Sequence, residues 1–226
     1  MREGPDLSRV AALVGDPARA NMLSALMSGT ALTASELALE AGVSLPTASS
    51  HLAKLCDGGL VRVAAQGRHR YFALAGTQVA LMIEAISGVA EAVGPQRTRP
   101  GPRDRAMREA RVCYDHLAGE RGVALFDHLV ARGLLVEDAE RLTPSDAGRR
   151  WFEALDIDVG ALKQARRPMC RACLDWSVRR SHLSGSLGAA MLDTITTRGW
   201  ARRDKHSRAV VFTPTGRRAF DKLLAD

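Results

Sequence analysis

The chain has 226 residues, 46% of them hydrophobic, with 32 Lys and Arg against 25 Asp and Glu and a net charge of +7. That is enough apolar material for proper cores in one or two domains, and the absence of any run of about 18 uncharged apolar residues argues against a membrane span. The N-terminus (MREGPDLSRV) has no apolar signal core, so a cytoplasmic protein is expected, and in such a chain four cysteines fit reduced thiols or ligands better than a disulfide framework.

The charge is unevenly spread. Residues 1–96 hold 7 basic and 8 acidic side chains, a net −1, whereas residues 97–226 hold 25 and 17, a net +8. A basic excess suits a polyanion, but most of it reads as solvated arginine faces.

Taken in order, residues 6–14 form a short amphipathic helix, and Gly15-Asp16-Pro17 breaks and restarts the chain. Residues 18–27 form a second helix with Met22, Leu23, Leu26 and Met27 inward. Thr33 and Glu36 make a capping box for a third. Gly42 supplies a tight turn, and Ser44 caps a fourth helix with Pro46 in its first turn. Two short helices around a glycine turn are the helix-turn-helix pattern. In the fourth helix Leu45, Ala48, Leu52 and Leu55 make the core face, leaving a polar face of Thr47, Ser49, Ser50, His51 and Lys54. Gly58-Gly59 ends it. Residues 60–63 and 68–74 then alternate as two strands around Gln66-Gly67, forming a hairpin with Arg68, His69 and Arg70 at its tip.

Helix-turn-helix and hairpin together point to duplex DNA. Short hydroxyl side chains on a helix reach phosphates or base edges in the major groove, and a basic hairpin tip suits the backbone or minor groove. The candidate DNA-contacting residues are therefore Ser44, Pro46, Thr47, Ser49, Ser50, His51, Lys54, Arg68, His69 and Arg70. Asp16-Pro17-Ala18-Arg19, the Ser44–Leu55 helix and Gly67-Arg68-His69-Arg70-Tyr71-Phe72 resemble, in order, the ArsR/SmtB family of winged-helix transcriptional regulators over about residues 6–93. The resemblance implies a homodimer on operator DNA whose affinity changes when an effector binds. The metal sites usual in that family are not matched. TASELALE at 33–40 lacks the Cys pair of arsenic and lead sensors, and residues 77–93 lack the Asp, His and Glu set of zinc sensors.

Residues 77–93 form a helix that is apolar nearly all round and is expected to bury itself against a second subunit. GPQRTRPGPR at 94–103 is a stiff linker. We thus expect a DNA-binding domain at 1–93, a linker at 94–106 and a C-terminal domain at 107–226. The expected fold is mainly α with small β-hairpin wings (α+β).

The C-terminal half contains an internal repeat, about residues 107–156 and 168–226. Cys113-Tyr114-Asp115-His116 aligns with Cys173-Leu174-Asp175-Trp176, Arg132-Gly133-Leu134 with Arg198-Gly199-Trp200, and Leu142-Thr143-Pro144 with Phe212-Thr213-Pro214. Each half reads as helix, helix, strand, turn, strand, helix, a shortened winged-helix-like unit. Packed about a local two-fold axis, matching positions would face each other. Neither half carries a polar recognition helix, so this region is assigned to effector sensing or dimerisation.

Two candidate sites lie there. Cys113, His116, Cys170, Cys173 and His182 could ligate Zn²⁺ or another thiophilic metal or metalloid. Pro168 can start a helix, in which Cys170 and Cys173 at i, i+3 would face one way. The same cysteines could serve a redox switch or be buried structural thiols. Tyr114, Asp115, Asp175, Trp176 and Arg179, with the two histidines, could instead wall an organic-ligand pocket, or could simply pack and pair with arginines. No GxGxxG, Walker, GxSxG or HExxH motif occurs, and the CxxC lacks a βαβ setting, so a regulator is favoured over a thiol oxidoreductase or an effector-free architectural DNA-binding protein.

Overall fold

The computed structural model describes residues 5–67, 69–93, 102, 104–138, 141–164, 167–205 and 207–225. The chain divides into two compact units, Met1–Glu84 and Ala85–Asp226.

In the first unit, α1 (Leu7–Val14) is capped by Asp6 and α2 (Pro17–Leu26) by Asp16. β1 (Leu32–Thr33) leads into α3 (Ala34–Ala41), whose capping box forms as expected: the Glu36 amide donates to Thr33 Oγ1, and the Thr33 amide donates to the Glu36 carboxylate at 2.7 Å. Gly42 ends α3 at φ 65°, a left-handed conformation that costs glycine nothing. α4 (Leu45–Asp57) follows from Ser44, which accepts the Thr47 amide. β2 (Val61–Gln66) and β3 (His69–Leu74) pair antiparallel in one register, and β1 pairs with the other edge of β3. Met22, Leu23, Leu26, Leu37, Ala48, Leu52, Leu55 and Phe72 make the core. Leu45 departs from its expected place: it stands at the first turn of α4, outside the buried stripe, and is 48% exposed.

α5 (Thr77–Val93) is one continuous helix, and the division between the units falls inside it. Ile86, Val89 and Val93 on it are exposed. Residues 94–101 and 103 of the expected linker lie outside the described residues, and α6 (Arg105–Glu109) begins just after them.

The second unit then runs β4 (Arg111–Cys113), β5 (His116–Ala118), α7 (Glu120–Ala131), β6 (Leu135–Asp138), β7 (Arg141–Pro144), α8 (Asp146–Glu153) and α9 (Val159–Leu162). It continues with β8 (Arg171–Leu174), β9 (Ser181–Ser184), α10 (Gly185–Thr197), β10 (Ala201–Arg203), β11 (Val210–Phe212) and α11 (Pro214–Ala225). Each half is thus hairpin, helix, hairpin, helix. This corrects the sequence expectation, which put a helix where β4–β5 and β8–β9 stand. The turns explain why. Tyr114 adopts φ 61° in the two-residue turn between β4 and β5. In the second hairpin the Asp175 carboxylate accepts the Ser177 and Val178 amides and the Asp175 amide donates to the Arg180 carbonyl. Such local side-chain bonds compete with helix formation.

The halves pack reciprocally: α7 lies on β9, α10 on β5, and β5 beside β9. Leu117, Leu125, Leu129, Phe152, Leu183, Leu187, Met191, Ile195 and Phe220 share one core. The structural match also corrects the alignment of the repeat. His116 corresponds to His182, not to Trp176, because each histidine stands three residues before a positive-φ glycine, Gly119 (82°) and Gly185 (91°). The second hairpin simply has the longer loop.

Candidate DNA interface and a buried Cys/His cluster

The DNA candidates sort by burial along α4. Ala48, Leu52 and Leu55 are buried, while Ser44, Pro46, Thr47, Ser49, Ser50 and Lys54 are exposed. Capping by Ser44 fixes where the helix starts, and the buried stripe fixes which face turns outward. Thr47 Oγ1 lies 2.8 Å from Ser44 Oγ, so both hydroxyls sit together at the helix N-terminus. In the wing, His69 and Arg70 are exposed, with their rows set by the β2–β3 register that pairs Gln66 with His69 and Ala65 with Arg70. Arg68 lies outside the described residues.

His51 is placed differently from the others. It is half-buried, and its Nδ1 lies 3.2 Å from Arg19 Nη1 and 3.8 Å from Asp16. Arg19 is itself buried and donates to the carbonyls of Ala12 and Leu13, both at 2.7 Å. These two carbonyls belong to the last turn of α1, where backbone acceptors have no helical partner. Arg19 therefore closes α1, holds α2 against it and meets α4 through His51. Nothing in the sequence distinguishes Arg19 from a surface arginine except its place after an N-capping Asp16-Pro17.

In the second unit the structure gathers Cys113, His116, Cys173 and His182, all buried, with one ligand-capable atom of each within 4.8 Å of every other. Each hairpin contributes a directly opposed Cys and His: Cys113 faces His116, and Cys173 faces His182. The histidine rings stack at 5.1 Å with their Nε2 atoms 3.2 Å apart. Burial opposes a charge on His116, yet hydrogen bonds with Asp115 and Cys113 raise it to about 9. Burial and the neighbouring His116 hold His182 well below its ordinary value.

Cys170 does not join the group. Cys170 stands just before β8, which holds Cys173, so the two are not on a helix, and in extended chain positions three apart face opposite ways. Cys173 turns to His182 while Cys170 packs into the apolar core. Burial pushes the Cys170 thiol up to about 12, which works against nucleophilic or redox chemistry by that cysteine at neutral pH.

The residues considered for an organic ligand are largely engaged with protein. Asp175 is fully buried and accepts from Arg111 Nη2 at 2.7 Å, the Gly119 amide at 2.7 Å and Ser177 Oγ. Trp176 is half-buried under the Arg111 guanidinium, 5.0 Å from the ring centre. Asp115 accepts from Arg167 and lies 3.0 Å from His116 Nδ1. Tyr114 is half-buried at its turn, and Arg179 is exposed with φ 59°. A cavity of about 710 Å³ in this unit is lined by other residues, among them Arg105, Arg108, Glu109, Arg121 and Arg217.

Comparison with known proteins fits this geometry. A family model described as a helix-turn-helix domain matches residues 14–64, from the end of α1 to the middle of β2. An uncharacterized HTH-type transcriptional regulator, YdfF of Bacillus subtilis (strain 168), is 36% identical over 220 residues, covering 97% of both chains. The chain belongs to the HTH-type transcriptional regulators. Among solved structures, the homodimeric winged helix-turn-helix DNA-binding domain of a possible ArsR-family regulator from Mycobacterium bovis is 26% identical. It aligns over 45% of this chain and 100% of that one, with a TM-score of 0.37. The cadmium metal-sensor CMTR from Mycobacterium tuberculosis is 27% identical over 44% of this chain and 100% of that one, with a TM-score of 0.32. In this HTH-type regulator the B. subtilis relationship runs through both units, so the Cys/His hairpins belong to the aligned length and are not an appendage to it.

Proposed function

We propose that this regulator is a homodimeric, sequence-specific repressor working on double-stranded operator DNA in the cytoplasm and released by an effector at its C-terminal unit. The observation that carries the reading is the division of α4 into a buried face of Ala48, Leu52 and Leu55 and an exposed face of Ser44, Thr47, Ser49, Ser50 and Lys54. That face enters the major groove, while Arg70 and His69 of the wing follow the flanking backbone. His51 braces the helix from behind through Arg19 as well as bordering the groove. The exposed Ile86, Val89 and Val93 of α5 support dimerisation, since an apolar helix face in water favours a second copy.

The C-terminal halves are then shortened winged-helix-like repeats that have exchanged groove reading for sensing. Their Cys/His cluster supports a thiophilic metal or metalloid over an organic effector, because Asp175, Asp115 and Trp176 already have protein partners.

The test is selection of duplexes from a random library by the full-length protein, then titration of the selected duplex by gel shift. Each base contact contributes roughly 1–3 kcal/mol, so Ser50→Ala combined with Lys54→Ala should weaken binding at least about tenfold with the melting temperature unchanged. Equal affinity in the variant, or no enriched sequence, overturns the reading. Light scattering should give twice the 24.3 kDa chain mass, falling to one in Val89→Asp.

A further inference from the structure

We propose that Cys113, His116, Cys173 and His182 form a closed tetrahedral centre for a thiophilic divalent cation of the zinc class, bound through Nε2 of both histidines and joining the two halves of the repeat. The centre supplies the ligand for the sensing role proposed above and rests on that role only for its consequence at DNA.

Two sulfurs and two imidazole nitrogens are the donor set of closed zinc sites. At zinc–nitrogen distances of about 2.0–2.1 Å a tetrahedron sets two ligand nitrogens about 3.3 Å apart. The Nε2 atoms here are 3.2 Å apart, and all four ligand atoms lie within 4.8 Å of one another. Two imidazoles aimed at each other through Nε2 can share a single proton, whereas a cation satisfies both lone pairs at once.

The far side of each ring carries a second argument. A metal-bound histidine places its remaining N–H on a carboxylate, which fixes the tautomer and turns the ring toward the ion. His116 Nδ1 lies 3.0 Å from Asp115. His182 Nδ1 is fully buried, has no hydrogen-bond partner among the described residues, and lies 3.6 Å from Asp175. Both carboxylates are anchored in turn, Asp115 by Arg167 and Asp175 by Arg111 and Ser177. The arrangement is thus doubled: each half offers a cysteine, a histidine and an anchored carboxylate behind the histidine. Loading releases the two thiol protons and the proton shared between the Nε2 atoms, and because each hairpin supplies two ligands, the ion ties β4–β5 to β8–β9.

The probe is Co²⁺ added to full-length, reduced, metal-free protein. Tetrahedral sulfur coordination gives intense visible ligand-field bands and near-ultraviolet sulfur-to-cobalt charge transfer. We expect both bands to saturate at one Co²⁺ per chain and to be displaced by one equivalent of Zn²⁺. Cys113→Ser and Cys173→Ser should abolish or strongly weaken the charge transfer, and Cys170→Ser should leave it intact. Thermal melting covers variants that fold poorly: Zn²⁺ should raise the wild-type midpoint by several degrees, and Cys170→Ser should keep that rise. Absent bands, weak octahedral bands, bands indifferent to Cys113→Ser, or bands lost in a folded Cys170→Ser overturn the centre. Gel shifts with metal-free protein separate the two readings. DNA binding without cobalt uptake removes the centre alone, and cobalt uptake without DNA binding removes the operator reading alone.

Discussion

His116 and His182, 66 residues apart, stack with their Nε2 atoms 3.2 Å apart because each stands at the same point of its own half. Each precedes a positive-φ glycine that opens a helix, and each helix packs on the other half's strand. The histidine pair is a product of the reciprocal packing, and the surrounding groups can be tested through it.

Asp175 and Arg111 form a deeply buried ion pair, at 0% and 1% side-chain exposure and 2.7 Å. Burial opposes the charge on Asp175, but Arg111, Ser177 and the Gly119 amide hold its carboxyl well below the usual range. Removing one partner strands the other charge in the core. Asp175→Asn should therefore cost about 3–5 kcal/mol in urea denaturation. Adding Arg111→Met should recover a good part of that loss. A single variant as stable as the parent would show that the pair contributes nothing.

Gly122 and Gly188 occupy matching positions in α7 and α10, where the helices cross the strands bearing the histidines. A Cβ on Gly122 would strike the Leu117 carbonyl, and one on Gly188 the Leu183 carbonyl, with the other half's histidine Cβ next in line. Gly122→Ala and Gly188→Ala should each cost about 1–3 kcal/mol, read as a fall in melting temperature. Gly76→Ala, with nothing within 4 Å, should be close to neutral. Equal melting points for all three variants would mean that the helices can move off the strands freely.

Glu109 gives a pH dependence. Burial would raise its pKa, but Arg217 and Arg121 together hold it below its ordinary 4.5. A carboxylate depressed in the folded state adds stability above its unfolded pKa, and that stability is lost as pH falls through the folded value. The parent should therefore be more stable than Glu109→Gln at pH 7, with the gap closing as the pH drops below 4.5. A gap that stays constant from neutral to acid pH would assign the loss to packing instead.

What the chain determines locally was legible without the fold. The capping pairs Thr33–Glu36 and Ser44–Thr47, the glycine at 42 and the apolar spacing of 48, 52 and 55 act within a few residues, so they declare the helix-turn-helix and its outward face. The repeat was legible in short matching stretches such as Arg132-Gly133 and Arg198-Gly199, but not in the first hairpin of each half, whose loops differ in length. The tertiary structure alone decided the rest. Hairpins replaced the expected helices because Asp175 binds amides of its own loop, and that strand geometry sent Cys170 into the core and Cys173 to His182. Whether His116 meets His182 or Trp176 depends on loop length and on reciprocal packing across 66 residues, and Arg19 becomes a buried brace only once α1, α2 and α4 have come together. Short-range spacing encodes elements, whereas the partners of a buried charge or ligand are fixed only when distant segments close around it.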